Sequence, residues 1–173
     1  CVSDFVAKGV KPIFGIVSLT IPKKLSRSNI ESLARGFQRA AREFELKILG
    51  GDTNEGKELV MTVSLFGIAE KIVGRNSAKT NHVIITSGSF GYTGAGLSIL
   101  LKNKKSSKKF NVKAKNAVFK PKCNLLFGLK NKKHFSSSMD SSDGLSTTLN
   151  EMSNQSKKKF VITSMPSEND VLE

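Results

Sequence analysis

The order of apolar patterns in the first 70 residues constrains the fold of this chain more than any other feature. Residues 13–21 are rich in β-branched residues and lie between two prolines, which predicts a strand. The next segment has apolar residues at helical spacing, and Ser28 and Glu31 form a capping box at its start. Further strands are predicted at 46–49, where two glycines end the segment, and at 58–68. This order indicates an α/β or α+β fold with helices on a sheet face.

The second half of the chain alternates less regularly. A strand is predicted at 82–87, leading into a glycine-rich turn and a helix. Residues 102–120 are basic and poorly periodic, which predicts an exposed loop, and 121–129 are predicted to be helical. A further helix is predicted to start near Asp143, and a strand at 160–163.

Charge divides the chain into two parts. The 173 residues carry 28 Lys and Arg against 14 Asp and Glu, a net charge of +14, and no acidic residue lies between Lys71 and Met139. This change predicts an N-terminal domain over 1–70 and a C-terminal domain over 71–173. The lysine-rich segment 102–133 is interpreted either as a solvated face or as a surface for an anionic ligand. Because few aromatic residues accompany the lysines, we do not expect nucleic acid to be a partner.

The cysteines and the start of the chain bear on its origin. Cys1 and Cys123 form neither a disulfide framework nor a zinc motif, which favours a reducing, cytoplasmic location. No apolar run approaches the roughly 20 residues of a membrane helix. The chain starts with Cys, and its first residues resemble the interior of a folded unit, so we expect it to be a fragment.

Four aspartates stand beside glycine or serine. Asp52 follows two glycines after an apolar strand, Asp140 and Asp143 flank two serines, and Asp4 precedes a short helical stretch. Mg²⁺ prefers oxygen ligands, usually a few carboxylates completed by water and substrate phosphates. A shared metal site is one interpretation of these aspartates, and helix N-caps or turns are the other.

A run of glycines opens the helix predicted after 82–87. The pattern Gly88-x-x-Gly91-x-x-Gly94 suits phosphate binding by backbone N–H groups at a helix N-terminus, although a tight strand–helix corner needs the same glycines. No Gly-Lys-Ser/Thr follows, which excludes a Walker P-loop. Arg75 is a candidate phosphate ligand. No Gly-x-Ser-x-Gly pattern occurs, which excludes a nucleophile elbow.

Taken together, these motifs resemble the thiamine-monophosphate kinase family, within the aminoimidazole ribonucleotide synthetase-like superfamily. The matching blocks, in chain order, are Val2-Ser3-Asp4, Gly9-x-x-Pro12, Ile48-Leu49-Gly50-Gly51-Asp52-Thr53, Gly74-Arg75-x-x-Ala78, Thr86-Ser87-Gly88 and Asp140-Ser141-Ser142-Asp143-Gly144-Leu145. The last block is the most specific element. Order and gaps fit over essentially the whole chain.

The resemblance implies a fold, an activity and a set of ligands. Members of the family phosphorylate thiamine monophosphate to thiamine diphosphate with ATP and several Mg²⁺ ions. They form homodimers through an N-terminal ferredoxin-like α/β domain, which a C-terminal α/β domain follows. The residues that match metal ligands are Asp4, Asp52, Asp140 and Asp143. The residues that match nucleotide contacts are Gly51, Asp52, Arg75 and Ser142. No further catalytic side chain is implied, and in-line phosphoryl transfer needs none beyond metal and phosphate ligands.

This chain departs from the family pattern in several places. Tyr92 stands where many members have Asp, and Ala34 stands where members often have a nucleotide-contacting Tyr. An upstream acidic segment and the far C-terminal part of the family are absent, so we expect little or no kinase activity from these 173 residues alone. Two alternatives stay open, a sibling ATP-dependent synthetase or ligase of the same superfamily and a non-catalytic basic binding protein.

Overall fold

In the computed structural model, which describes residues 1–168 and 171, the chain divides into two compact units. The first unit comprises Cys1–Val73 together with Leu125–Phe135, and the second comprises Gly74–Asn124 together with Ser136–Glu173. Residues 125–135 return to the first unit, so the two units are not continuous halves of the chain.

A three-stranded mixed sheet forms the centre of the first unit. After a short helix α1 (Val2–Ala7), the strands are β1 (Phe14–Pro22), β2 (Lys47–Gly56) and β3 (Val60–Phe66). Their order is β2-β1-β3, with β1 parallel to β2 and antiparallel to β3. Helix α2 (Arg27–Glu43) makes the crossover that a parallel pair requires. These elements confirm a mixed α/β fold.

Helix α2 begins two residues earlier than its sequence signal predicts. Its N-cap is Ser26, whose hydroxyl accepts a hydrogen bond from the backbone N–H of Asn29 at 3.3 Å. The prediction that Ser28 and Glu31 form the capping box is therefore wrong. Ser28 Oγ lies 3.0 Å from Ser26 Oγ, and Glu31 forms an ion pair with Arg27 instead.

Strand β2 continues through the glycine pair that was predicted to end it. The predicted strand 46–49 extends in the structure from Lys47 to Gly56. Gly51 pairs with Val17 of β1, and a Cβ atom on Gly51 would overlap with the carbonyl oxygen of Val17. A glycine is needed here because the backbone of β1 approaches too closely for any side chain. Gly51 therefore makes room for β1 within the sheet, and the strand does not end at the glycine pair.

The second unit is built from helices. Helices α3 (Tyr92–Lys102) and α4 (Lys108–Phe119) pack on each other, with Ala114 of α4 fully buried and Gly96 of α3 against its carbonyl oxygen. The prediction of an exposed loop over 102–120 is therefore wrong. Ser107 caps α4 by accepting a hydrogen bond from the N–H of Phe110 at 3.3 Å.

Two later helices follow their sequence signals with shifted starts. Helix α5 (Leu125–Asn131), predicted at 121–129, packs in the first unit, where Gly128 lies against Val6 of α1. Helix α6 (Leu145–Ser156) starts two residues after Asp143, and Gly144 is its N-cap. In the described part of the chain, no helix has the length and apolarity that crossing a bilayer requires.

The strands predicted at 82–87 and 160–163 are wrong. Both segments lack regular structure, and their apolar side chains are exposed, with Val83 at 85% and Val161 at 66%. Within residues 1–168 and 171, neither segment pairs with a strand, and this unit contains a single isolated bridge, between Phe90 and Ser167. When a β-prone segment has no neighbouring strand, its backbone N–H and C=O groups form hydrogen bonds with water, and no sheet forms.

Candidate functional site

In the first unit, Asp52 lies on β2, opposite Ser18 of β1. One carboxylate oxygen, Oδ1, accepts a hydrogen bond from the N–H of Thr53 at 2.8 Å, and Oδ2 accepts one from Nδ2 of Asn54 at 2.7 Å. These bonds orient the carboxylate, while its exposure leaves the remaining lone pairs of both oxygens accessible. Asp52 is therefore placed as an oriented, solvent-facing oxygen donor.

Asp4, the other predicted ligand of this unit, lies in the first turn of α1. It is exposed, and its Oδ2 lies 3.4 Å from the N-terminal ammonium of Cys1. The carboxylate borders a cavity of about 300 Å³ to which Lys8 contributes the opposite charge and Phe5 and Val10 contribute apolar walls. Asp4 therefore lines a cavity with both polar and apolar walls.

In the second unit, the predicted ligands of the Asp140–Gly144 turn lie directly before α6. The hydroxyl of Ser142 donates a hydrogen bond of 2.6 Å to Oδ2 of Asp140. Asp143 is exposed, and Gly144 has a φ of 95°, a value that side-chain-bearing residues rarely adopt. The glycine lets the chain turn into the helix, so Asp143 is not needed as the N-cap and its carboxylate is left for other contacts.

Arg75 lies in the segment Gly74–Ala78 of the same unit and is half-buried. The carbonyl oxygen of Gly74 accepts a hydrogen bond from the N–H of Ser138 at 2.9 Å. The segment that carries Arg75 therefore runs beside the segment that leads to Asp140. Of the predicted nucleotide contacts, Arg75 and Ser142 thus lie in the same unit.

The predicted metal ligands are divided between the two units, with Asp4 and Asp52 in the first and Asp140 and Asp143 in the second. Gly51 serves the sheet, as its contact with β1 shows, while Asp4 and Asp52 lie on different elements of the first unit. Across the described ranges, 1–168 and 171, no three carboxylate, thiol or imidazole groups lie close enough to hold a metal ion. A shared site of four aspartates therefore stays a prediction.

The two residues that depart from the family pattern, Tyr92 and Ala34, lie on helices α3 and α2. Tyr92 is the first residue of α3, and its hydroxyl accepts a hydrogen bond of 3.1 Å from Nζ of Lys113 on α4. Its ring also packs at 5.8 Å from that of Phe110. Tyr92 thus ties α3 to α4. Ala34 lies exposed on α2.

Sequence reasoning missed several residues that support these segments. Asn54 orients Asp52 from two positions along, and Thr148 contacts the Asp140 turn from within α6. Ser156 contacts the Arg75 segment. A signal for Thr148 exists, because it interrupts the apolar stripe of α6 formed by Leu145 and Leu149.

Comparison with known proteins identifies relatives over nearly the whole chain. Residues 1–69 match the family model "AIR synthase related protein, N-terminal domain". A thiamine-monophosphate kinase of Nitrosopumilus maritimus is 60% identical over 171 residues, which are 99% of this chain and 55% of the relative. The thiamine-monophosphate kinase of Aquifex aeolicus is 30% identical over 163 residues, 94% of this chain and 53% of the relative.

The fold agrees with the sequence comparison. The solved structure of AaThiL complexed with AMPPCP and TMP has a TM-score of 0.83 and 29% identity, covering 90% of this chain and 50% of that one. The expected aminoimidazole ribonucleotide synthetase-like fold is thereby confirmed. The chain spans about half the length of the curated relatives it matches. By sequence and by fold, this chain is similar to about half of a thiamine-monophosphate kinase.

Proposed function

We propose that this chain contributes to the ATP- and Mg²⁺-dependent phosphorylation of thiamine monophosphate to thiamine diphosphate. The observation that carries the proposal is the 60% identity to a thiamine-monophosphate kinase over 99% of the chain, including the Asp140–Gly144 turn. The neighbouring AaThiL structure is complexed with AMPPCP and TMP, an ATP analogue and the proposed acceptor. The bond between Ser142 and Asp140 supports a preformed polar turn for a phosphate or a metal ion.

The donor set suits Mg²⁺ as the resident metal. Asp4, Asp52, Asp140 and Asp143 offer only carboxylate oxygens, the ligands that a hard cation prefers. Three of them, Asp4, Asp52 and Asp143, are exposed, so substrate phosphates and water would complete the shell. When bound, Mg²⁺ supplies charge neutralisation that lets two phosphorylated substrates approach each other. The carboxylates of this chain hold that charge in place.

The remaining chemistry is positioning. Arg75 would contribute a fixed cation to a phosphate oxygen. The backbone at Gly51–Asp52 and at Ser142 would contact nucleotide. No general base is needed, because the acceptor phosphate oxygen is already ionised at neutral pH. We therefore propose direct in-line transfer without a phosphoenzyme. A stable phosphorylated side chain after incubation with radiolabelled ATP would contradict this step.

We propose that the protein acts as a homodimer through its sheet. Val17 and Leu19 of β1 share one sheet face with Val63 and Met61 of β3, and these side chains are half-buried or exposed, Met61 at 49%. An apolar face of this kind favours burial against a second copy. Light scattering coupled to size exclusion tests the proposal, and a monomer at micromolar concentration would contradict it.

Two further expectations complete the proposal. We place the protein in the cytoplasm, because two cysteines without a disulfide or zinc pattern are typical of a reducing compartment. We also keep the division into functional domains at 1–70 and 71–173, for which the match of residues 1–69 to one domain model is the support. Limited proteolysis followed by mass spectrometry tests the boundary, with cleavage near residue 71 expected.

Mg²⁺-dependent ATP binding, measured by titration calorimetry, tests the proposal on the chain itself. Asp140→Asn is expected to weaken binding at least tenfold, because a charged oxygen ligand is lost. Glu58→Gln, which removes an exposed carboxylate of the sheet unit, is the matched control and is expected to change nothing. Equal binding with and without Mg²⁺, or equal effects of both substitutions, would contradict the proposal.

Turnover is tested separately, by release of ADP with thiamine monophosphate or with formylglycinamidine ribonucleotide as acceptor. We expect little turnover from these 173 residues, and what there is should require thiamine monophosphate. A response to the ribonucleotide alone would assign the chain to a sibling synthetase, and robust turnover would contradict the expectation that half of a site is present.

A further inference from the structure

Two buried hydroxyl groups on α6 stand out among the polar side chains. Within the described residues, Thr148 and Ser156 are the polar residues that are buried, with 6% and 9% exposure. A hydroxyl group removed from water costs free energy unless it is hydrogen-bonded. Each of the two finds its partners on a segment outside the helix, and each of these segments carries predicted phosphate or metal ligands.

Thr148 holds the turn before α6. Its Oγ1 lies 3.3 Å from the backbone oxygen of Asp140, 3.1 Å from Oγ of Ser141 and 3.1 Å from the backbone oxygen of Gly144. The contact with Gly144 is the ordinary one between a helical threonine and the carbonyl four residues back. The contacts with Asp140 and Ser141 reach beyond the helix, and they fix the turn that presents Asp140, Ser142 and Asp143.

Ser156 holds the segment that carries Arg75. At the last residue of α6, its hydroxyl donates to the backbone oxygen of Arg75 at 3.1 Å and accepts from the N–H of Ala78 at 3.2 Å. The hydroxyl of Ser156 is thus both donor and acceptor, and its two partners, Arg75 and Ala78, flank Asn76 and Ser77. A methyl group at this position would leave both backbone groups without these bonds.

We propose that Thr148 and Ser156 are positioning residues, which use α6 as a common frame for the Arg75 segment and the Asp140–Gly144 turn. The inference rests on the proposed function, because it assigns these two segments to phosphate and metal binding. The separation of eight positions between the two residues corresponds to about 12 Å of helix, so the anchor points keep a fixed separation. A misplacement of about 1 Å can reduce catalysis about 100-fold.

The first test removes the hydroxyl of Thr148 while keeping its shape. Thr148→Val is expected to speed amide hydrogen exchange at residues 140–144, with exchange in α3 and α4 unchanged, and to raise the Kd for Mg·ATP roughly tenfold. Thr148→Ser keeps the hydroxyl and is expected to restore both. Thr147→Val, at an exposed neighbouring position, is the matched control.

The second test addresses Ser156. Ser156→Ala is expected to speed exchange at residues 74–78 and to leave 140–144 unchanged, whereas the control Ser146→Ala, on the exposed side of α6, changes neither. Unchanged exchange at the two segments in Thr148→Val and Ser156→Ala would overturn the inference, as would a Thr148→Ser variant as impaired as Thr148→Val. If the unsubstituted chain bound no Mg·ATP, the proposed function would fail, while the exchange measurements would still decide whether α6 anchors both segments.

Discussion

The two compact units hold their predicted ligands in different ways. In the sheet unit, Asp52 lies on a strand whose backbone is fixed by pairing with β1, and Asp4 lies on a helix. In the helical unit, Arg75 and the Asp140 turn lie on segments without regular structure, which side-chain hydroxyls attach to α6. The sheet unit should therefore be sensitive to backbone crowding, and the helical unit to the loss of single side-chain contacts.

The largest effect is expected where the sheet has no room for a side chain. Gly51→Ala should reduce the free energy of unfolding by about 3 kcal/mol or more, because the new Cβ overlaps with the carbonyl oxygen of Val17. Gly50→Ala is the matched control, since a Cβ there meets nothing within 4 Å. Urea denaturation measures both. Equal losses of stability in the two variants would contradict the expectation that the sheet unit is sensitive to backbone crowding at Gly51.

The helix pair of the second unit offers the same contrast within one helix. Gly96→Ala should cost about 2 kcal/mol, because its Cβ overlaps with the carbonyl oxygen of buried Ala114. Gly94→Ala meets nothing within 4 Å and should stabilise by about 0.5–1 kcal/mol through helix propensity. Thermal unfolding followed by circular dichroism compares the two. Stabilisation by both substitutions would show that α3 and α4 do not pack as described.

A smaller effect is expected at the start of α4. Ser107→Ala removes the side-chain acceptor of the Phe110 N–H and should cost about 1 kcal/mol. Ser106→Ala is the control, because Ser106 lies outside the helix and caps nothing. Helix content and thermal midpoint are the measurements. An unchanged midpoint for Ser107→Ala would mean that the lysine-rich segment is not held as a capped helix.

The smallest effect is expected in the pH dependence of stability. A hydrogen bond from Lys11, together with the attraction of its ammonium, lowers the pKa of Glu45 in the sheet unit. A carboxyl group whose pKa is lower in the folded state contributes stability above its unfolded pKa, near 4.3, and loses it as the pH falls through the folded value. Lys11→Met should therefore lower the thermal midpoint slightly at pH 7 and not at pH 3. A constant difference between these pH values would contradict the assignment.

Local patterns were enough to predict two of the helices and the first strand. The apolar spacing of α2 and the turn before α6 predicted both helices within a few residues, and the prolines around 13–21 predicted β1. Helix α4 was missed although its signal exists. Phe110, Ala114 and Val118 recur at helical spacing after Ser107, but the surrounding lysines hide this pattern.

Strand pairing and side-chain anchoring were not predictable in this way. The segments 82–87 and 160–163 have the residues of strands, but a strand exists only where another backbone pairs with it, and composition carries no information about that partner. The spacing of the aspartates identified candidate ligands. It gave no indication that Thr148 and Ser156 would support them, because a hydroxyl residue inside an apolar stripe reveals its partner only after the chain has folded.

The first unit is formed by two separate stretches of the chain, and this affects how it folds during synthesis. Gly128 of α5 packs against Val6 of α1, so the unit is complete only after residues up to 135 have been made. At ribosomal speeds of 5–20 residues per second, the sheet residues wait about 3 to 12 seconds for their last helix. During that interval, the side of α1 that Gly128 covers stays exposed to solvent.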